Sequence, residues 1–348
     1  GLRSSGSRLA LMAKNQLAHF MNIDGVTVVG AVDTDSDRLA AFADKFNIEK
    51  RFLTLDEAIA WGEFDAATNI TPDRIHHPTT MALIAAGKHV LCEKPLAENY
   101  PKALEMTEAA ETAGVINMVN LTYRNVAPLQ RAREMVLSGE LGTIKHVEAS
   151  YLQSWLVSRA WGDWRTESTW LWRLSTGHGS NGVLGDVGIH ILDFAAYGAA
   201  TDIDHVFARL KTFNKAPGGQ IGEYMLDAND SFTMSVDFAN GALGVIHASR
   251  WATGHLNELK LRIYGEKGSL EVIHRQVRQQ PPPDRFPSRG GLALLGVDDR
   301  QLQRRVALLL ADRRAHRHPA EAHFELGRRG PPVVVPDLDR VDAADRLA

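Results

Sequence analysis

The sequence has a single cysteine, Cys92, in 348 residues, so no disulfide can form within the chain. Disulfide-stabilised proteins are mostly secreted, and a chain with one thiol fits a reducing compartment. We therefore predict a cytoplasmic protein. Cys92 lies within an apolar run, where a thiol is typically buried and inert. The sequence gives no indication of thiol chemistry.

Long apolar runs are also absent, and the net charge is small. No run approaches the roughly 20 apolar residues of a membrane-spanning helix, and the opening residues lack the apolar segment of a signal peptide. A net charge of −3 gives no reason to expect nucleic acid or an acidic membrane as a partner. The expected partner is therefore a small molecule, bound by a soluble globular protein.

Lysine is absent after Lys267, whereas arginine and proline are frequent there. Residues 276–348 show no regular pattern apart from helical spacing between Gln301 and Ala311, and we predict an atypical tail. The preceding residues are too many for one small core, so two domains are expected.

Residues 1–122 alternate between apolar strands and helices with short loops. The predicted strands are 26–33, 66–72 with its turn, 89–92 and 115–121, and the helices between them begin at Asp35, Pro78 and Pro101. Such alternation is typical of a doubly wound parallel α/β sheet. We predict a Rossmann-like domain over residues 1–122.

The pattern changes in the second half. From Asp204 onward the predicted elements are strands, and Asn240-Gly241 between two of them is a hairpin signal. We therefore predict that residues 123–275 form an α+β domain with a large, mostly antiparallel open sheet.

An apolar run ends in Glu93-Lys94-Pro95. Ligands of open α/β sheets bind beyond the C-terminal ends of the strands, and a residue before proline is held extended. Lys94 is therefore a candidate catalytic residue. The alternative is an ordinary solvated pair of charges.

Gly1 and Gly6 have the outer spacing of a dinucleotide-binding glycine loop, with Arg3 at the position of its middle glycine. The sequence places no strand before this loop. Asp33, at the end of the first predicted strand, can accept hydrogen bonds from a ribose hydroxyl, which favours NAD over NADP. The alternative role for Asp33 is a helix cap.

Asp186, His190 and Asp193 are spaced i, i+4 and i+7 in a glycine-rich segment, so a helix would carry them on one face. A carboxylate can orient an imidazole, and such a pair near a lysine is a plausible proton-transfer set. A metal site is the rival interpretation, but no third ligand has recognisable spacing. We predict no metal. A purely structural helix remains an alternative.

Tryptophans and arginines precede this segment. Aromatic faces suit the C–H faces of a sugar ring, and guanidinium groups suit hydroxyls or carboxylates. A packed aromatic loop or a subunit contact is the equal alternative. The residues concerned are Trp161, Trp164, Arg165, Trp170, Trp172 and Arg173.

Taken together, the motifs resemble the Gfo/Idh/MocA oxidoreductases over about residues 6–273. The matching segments are Thr71-Pro72, Glu93-Lys94-Pro95, Tyr123-Arg124 and the glycine-rich segment 182–193. The resemblance implies a Rossmann domain followed by a domain whose open sheet often mediates oligomerisation. It also implies NAD(P)-dependent oxidation or reduction of a sugar, cyclitol or related polyol.

The resemblance also implies residue roles. Lys94, Asp186 and His190 are the expected catalytic residues. The expected cofactor-binding residues are Gly1, Gly6, Asp33, Thr71, Pro72, His77, Glu93 and Lys94. The expected substrate-binding residues are Tyr123, Arg124, Trp170, Trp172, Arg173, Asp186 and His190. The cofactor is expected to be NAD, with NADP not excluded, and the Lys94-Pro95 bond is a candidate for the cis form.

Two other functions fit the same resemblance. One is a non-catalytic protein that binds cofactor or sugar on the same fold. The other is a glycosidase that uses bound NAD transiently, without net NADH production. An assembly of identical chains through the second-domain sheet is the expected oligomer.

Overall fold

The computed structural model describes residues 15–159 and 161–273, with short strands at 276–280, 293–295, 323–324 and 333–334. Gly1, Gly6 and the helix predicted between Gln301 and Ala311 lie outside the described residues.

The N-terminal strands are parallel, as predicted, and form two separate sheets. Strand β1 (Gly30–Val32) pairs with β2 (Lys50–Phe52), and β4 lies between β3 and β5 in the other sheet. The first of these strands is shorter than the predicted 26–33. The strands of the second sheet are β3 (Ala66–Asn69), β4 (His89–Glu93) and β5 (Asn117–Asn120).

Helices connect these strands and are closed by the caps that the sequence indicates. The Asp35 carboxylate accepts hydrogen bonds from the backbone N–H groups that open the first helix. Gly114 ends the fourth helix at a φ of 65°, a conformation that glycine adopts without steric cost. The helices are α1 (Ser36–Phe46), α2 (Leu55–Trp61), α3 (Asp73–Ala85) and α4 (Tyr100–Ala113).

The prediction that α3 begins at Pro78 is wrong. The helix begins at Asp73, and Pro78 lies inside it. A proline removes one backbone hydrogen bond from a helix. Burial of Leu83 and Ile84 in a core shared with Met106 of α4 offsets that loss. The longer α3 directs its first turn toward the ends of β3 and β4.

The second domain contains a mixed sheet of eight strands. They are β6 (Ile144–Gln153), β7 (Ile203–Lys211), β10 (Ser231–Phe238), β11 (Leu243–Ser249), β12 (Asn257–Gly265), β13 (Gly268–Ile273), β14 (Gln276–Gln280) and β15 (Ala293–Leu295). Their order in the sheet is β15-β14-β13-β12-β6-β11-β10-β7. Most pairs are antiparallel, as predicted, but β6 and β11 are parallel. A small hairpin, β8 (Gln220–Ile221) and β9 (Tyr224–Met225), lies in the connection before β10.

One face of this sheet is covered by two helices. Helix α5 (Ala127–Leu137), which the sequence analysis missed, and α6 (Ile189–Gly198) pack on the sheet through residues such as Leu129 and Phe194. Side chains on β10 alternate between buried and exposed, so the opposite face is open. No helix in the described part of the chain is long and apolar enough to cross a membrane.

Candidate active site

Lys94 follows β4 at the C-terminal edge of the parallel sheet, and its bond to Pro95 is cis. Its Nζ donates a hydrogen bond of 2.8 Å to the backbone oxygen of Asp186 and lies 3.3 Å from Asp186 Oδ1. The lysine side chain is 12% exposed. The two segments singled out in the sequence, 92 residues apart, therefore meet between the domains.

Asp186 lies in a π-helical turn (Leu184–Gly188) that runs directly into α6, whereas the spacing predicted a regular helix. π-turns disturb the regular ladder of backbone bonds and often occur at functional sites. Glycines permit the tight packing around this turn. Gly182 has a φ of +65°, and a Cβ there would clash with Asn229. A Cβ at Gly188 would lie 3.0 Å from the ring of Phe232.

The other carboxylate oxygen of Asp186 faces two arginines. Arg250 Nη2 donates to Oδ2 at 3.1 Å, and Arg173 Nε lies 3.8 Å from the same oxygen. Both guanidinium groups are buried. The sequence analysis missed Arg250, which follows β11 and carries no local motif.

His190 lies in the first turn of α6, and its ring meets the ring of Tyr123 edge to face, with centroids 5.0 Å apart. The Tyr123 hydroxyl is hydrogen-bonded to that of Tyr151 at 2.8 Å. Burial raises the pKa of Tyr151 well above its usual range, so this phenol stays neutral and acts as a hydrogen-bonding group. Tyr123 therefore fixes one side of the imidazole.

Asp193, the second acid of the segment, binds Arg124. Arg124 Nε lies 2.9 and 3.0 Å from the two carboxylate oxygens, and Nη2 lies 2.5 Å from Oδ1. This bidentate pair attaches the turn after β5 to α6. It places the adjacent Tyr123 against His190, so the i+7 acid has a positioning role in the structure.

The tryptophan-rich segment forms a packed cluster beside the site. Trp170 lies against Trp155 with ring centroids 5.4 Å apart. The Arg173 guanidinium lies 5.1 Å from the ring of Trp170 and 4.7 Å from that of Trp172. Trp170 and Trp172 are only partly buried. The segment is therefore a packed aromatic loop, which is one of the alternatives predicted. Part of its aromatic surface remains accessible.

Asp33 occupies the end of β1, as predicted, but its carboxylate is bound by an arginine that the sequence analysis missed. Arg38 Nε and Nη2 each lie 2.5 Å from an Asp33 oxygen. The Asp33 carboxylate raises the pKa of Arg38. The Asp33 side chain is 28% exposed, so it faces the edge of the sheet with a cation beside it.

Thr71 and Pro72 turn the chain from β3 into α3, and a buried histidine ties this turn to the lysine loop. His76 Nε2 lies 2.8 Å from Thr71 O, and Nδ1 lies 2.7 Å from Pro95 O. The predicted site residue is its neighbour His77, whose Nε2 is instead bonded to Glu105 on α4 at 2.8 Å. The position of His76 on the first turn after Thr71-Pro72 is the signal that could have identified it.

Glu93 links three segments at the strand ends. Its Oε1 accepts hydrogen bonds of 2.5 Å from Gln16 and from Asn120, and Oε2 accepts one of 3.2 Å from the Lys94 backbone. Glu93 is buried, and a buried carboxylate requires such donors. It therefore fixes the backbone from which Lys94 extends.

Cys92 lies on β4 behind this edge and is buried, as predicted. Burial raises the pKa of its thiol to about 12, so the thiolate is not formed at neutral pH. In the described part of the chain, no group of three or more His, Cys, Asp or Glu side chains could hold a metal ion.

Comparison with known proteins matches both halves of the chain to models of one family. The model of the oxidoreductase family with an NAD-binding Rossmann fold matches residues 9–121, and that of the GFO/IDH/MocA C-terminal domain matches residues 129–271. The 1,5-anhydro-D-fructose reductase of Ensifer adhaerens is 30% identical over 261 residues, covering 74% of this chain and 71% of that protein. The chain belongs to the Gfo/Idh/MocA family. The resemblance and fold class inferred from the sequence are confirmed, and the N-terminal domain is the NAD-binding domain of a Gfo/Idh/MocA enzyme.

Other family members show the same likeness. The levoglucosan dehydrogenase of Pseudarthrobacter phenanthrenivorans is 29% identical over 214 residues, and this chain spans about half (53%) of its length. The crystal structure of an oxidoreductase domain protein from Kribbella flavida has a TM-score of 0.69 at 27% identity, covering 88% of this chain and 85% of that one.

Proposed function

We propose that this family member transfers a hydride between NAD(P) and a hydroxyl or carbonyl carbon of a sugar, cyclitol or related polyol. The contact of Lys94 with Asp186 carries the proposal, because it places a lysine and a carboxylate together beyond the ends of the parallel strands. Relatives named as levoglucosan dehydrogenase, 1,5-anhydro-D-fructose reductase and myo-inositol 2-dehydrogenase support the substrate class.

The residues at the strand ends fit a dinucleotide. Asp33 would accept a hydrogen bond from the adenosine ribose, and Thr71, Pro72 and Glu93 would border the nicotinamide and its ribose. Gly1 and Gly6, the predicted pyrophosphate contacts, lie outside the described residues. Arg38 lies beside Asp33 and could pair with a 2′-phosphate, so both NAD and NADP belong in the test. Bound NAD supplies the hydride acceptor when the carbon is oxidised.

Side chains of the protein then bind the reacting oxygen and accept the hydroxyl proton. In oxidation, Lys94 Nζ donates a hydrogen bond to the reacting oxygen, and His190 accepts the hydroxyl proton. Asp186 holds the lysine, and Tyr123 fixes the face of the imidazole. General acid–base assistance of this kind contributes about 10²–10⁴-fold to a rate.

Sugar binding is assigned to the side of the site formed by the second domain. The partly exposed rings of Trp170 and Trp172 offer faces for the C–H groups of a sugar. Tyr123, Arg124 and Arg173 would supply polar groups, of which Arg173 lies against both rings. Arg124 is 35% exposed in its pair with Asp193, which leaves part of the guanidinium accessible to a hydroxyl.

A spectrophotometric assay tests the proposal. The protein is incubated with a panel of sugars, cyclitols and anhydrosugars and with NAD or NADP, and NAD(P)H is followed at its absorption band. Turnover of at least one polyol is expected. Cofactor binding without turnover would favour a binding protein, and glycoside cleavage without net NADH would favour the redox-assisted glycosidase. Failure to bind NADH at millimolar concentration contradicts both NAD-dependent functions and favours a sugar-binding protein.

We also propose that identical chains associate through the open face of the eight-stranded sheet. Phe207 on β7 and Val245 on β11 both oppose Ser235 of β10 and point to that face. Phe207 is 74% exposed, and exposed apolar patches commonly mark interfaces.

Replacement of Phe207 by aspartate is expected to reduce the molecular mass measured by size-exclusion chromatography with light scattering, because a charge cannot be buried there without a partner. Tyr100→Asp is the control, since Tyr100 is 70% exposed on α4 of the other domain. An unchanged mass for Phe207→Asp, or an equal fall for both variants, would rule out this interface.

A further inference from the structure

Arg250 follows β11, and its side chain is fully buried. A buried guanidinium is costly unless its donors are bonded. Nη1 donates to the Arg173 oxygen at 3.1 Å, and Nη2 donates to the Gly182 oxygen at 3.3 Å. The guanidinium carbon lies 5.0 Å from the ring centroid of Trp155. Two carbonyls and one aromatic face therefore fix the orientation of the group.

The guanidinium, once fixed, reaches the carboxylate that contacts Lys94. Arg250 Nη2 lies 3.1 Å from Asp186 Oδ2, whereas Lys94 Nζ lies 3.3 Å from Oδ1. One carboxylate oxygen of Asp186 thus contacts the buried Arg250, and the other contacts Lys94. Arg250 also anchors its own backbone, since its N–H donates to the Asp230 oxygen at 3.0 Å.

We propose that Arg250 is a positioning residue for the reaction. It holds Asp186 in the orientation in which Oδ1 and the backbone oxygen bind Lys94 Nζ, and it does so from a place that no substrate can reach. Its catalytic consequence rests on the proposed function, whereas its effect on Lys94 does not.

The positive charges around Asp186 also affect the orientation of its carboxylate. Lys94, Arg173 and Arg250 surround the single carboxylate of Asp186, and His190 is in the next helical turn. Removal of the Arg250 side chain leaves Asp186 Oδ2 beside Arg173, so the carboxylate is expected to turn and to change its contact with Lys94 Nζ.

The test compares Arg250→Met, Arg250→Lys and the control Arg131→Met by steady-state kinetics. Arg131 is a half-exposed arginine of α5 whose ion pairs contribute little. Arg250→Met is expected to lower kcat by about 10²-fold, the effect of misplacing a reacting group by ~1 Å. KM should change much less, because the buried Arg250 touches no substrate.

Arg250→Lys retains the charge but not the planar guanidinium that reaches two carbonyls and the carboxylate, so kcat should fall by only about tenfold. A merely structural role would lower thermal stability and leave the kcat of the folded protein unchanged. Native kcat in a folded Arg250→Met, or no recovery of kcat in Arg250→Lys relative to Arg250→Met, overturns the proposal.

A second measurement is independent of turnover. Lysines are reductively methylated with ¹³C-formaldehyde, the Lys94 signal is assigned by its absence in Lys94→Arg, and its chemical shift is compared between the native protein and the variants under one condition. The signal should move in Arg250→Met and keep its native position in Arg131→Met, because only Arg250 contacts the carboxylate that binds Lys94. If no sugar is turned over but this change occurs, the proposed function fails and the positioning stands. Identical Lys94 signals in the native protein and Arg250→Met overturn the positioning.

Discussion

Replacement of Lys94 by methionine is expected to lower kcat with the preferred polyol by about 10²–10⁴-fold, the range of general acid–base assistance. Methionine keeps much of the side-chain volume but removes the ammonium that lies 2.8 Å from the Asp186 backbone oxygen. His190→Ala should have an effect of similar size, because the proposed reaction needs both groups at one oxygen. The measurement is the initial rate of NADH formation at saturating polyol and cofactor.

Lys102→Met is the matched control for Lys94→Met. Lys102 is an exposed lysine of α4 that pairs with Glu98, and its removal should leave kcat unchanged. Quenching of tryptophan fluorescence by NADH reports cofactor binding separately, so loss of turnover can be distinguished from loss of cofactor. The assignment is wrong if turnover survives both Lys94→Met and His190→Ala.

The second large effect is expected on stability, at a buried ion pair next to the site. Lys215 Nζ lies 2.7 Å from Asp230 Oδ2, and both side chains are fully buried. Lys215→Met leaves a buried carboxylate without its cation, which typically costs about 3–5 kcal/mol. Urea unfolding followed by tryptophan fluorescence should show this loss in the free energy of unfolding.

A double variant separates charge from packing. Asp230 Oδ2 also accepts a hydrogen bond of 2.8 Å from the Phe213 backbone, and asparagine retains that acceptor without the charge. Lys215→Met/Asp230→Asn should therefore recover at least about half of the lost stability. Lys102→Met removes an exposed pair and should cost less than about 1 kcal/mol. A Lys215→Met loss no larger than this would contradict the buried-charge explanation.

Local signals made part of this structure predictable. The apolar run ending in Glu93-Lys94-Pro95 locates the end of β4, because the effect of proline on the backbone acts on the adjacent residue. Asp35 and Gly114 likewise predict the ends of helices through capping, which depends on neighbours in the chain. Gly241 occupies the predicted hairpin with a φ of 85°.

Tertiary partners explain what the sequence analysis missed. The i, i+4 spacing of Asp186 and His190 fits both an α-helix and the observed π-turn. The glycines around this turn pack against Asn229 and Phe232, which lie far from it in the sequence. Arg250 has no local pattern, since the carbonyls and carboxylate that bind it are 64 or more residues distant. Pro78 suggested a helix start, because the burial that offsets its cost is not visible locally.

The contact between Lys94 and Asp186 joins a group of the first domain to a group of the second. A hinge rotation that opens the cleft by about 1 Å would lengthen the 2.8 Å hydrogen bond beyond its normal range. The proposed proton-transfer groups would then no longer meet. We therefore expect the relative position of the two domains to set the geometry at Lys94.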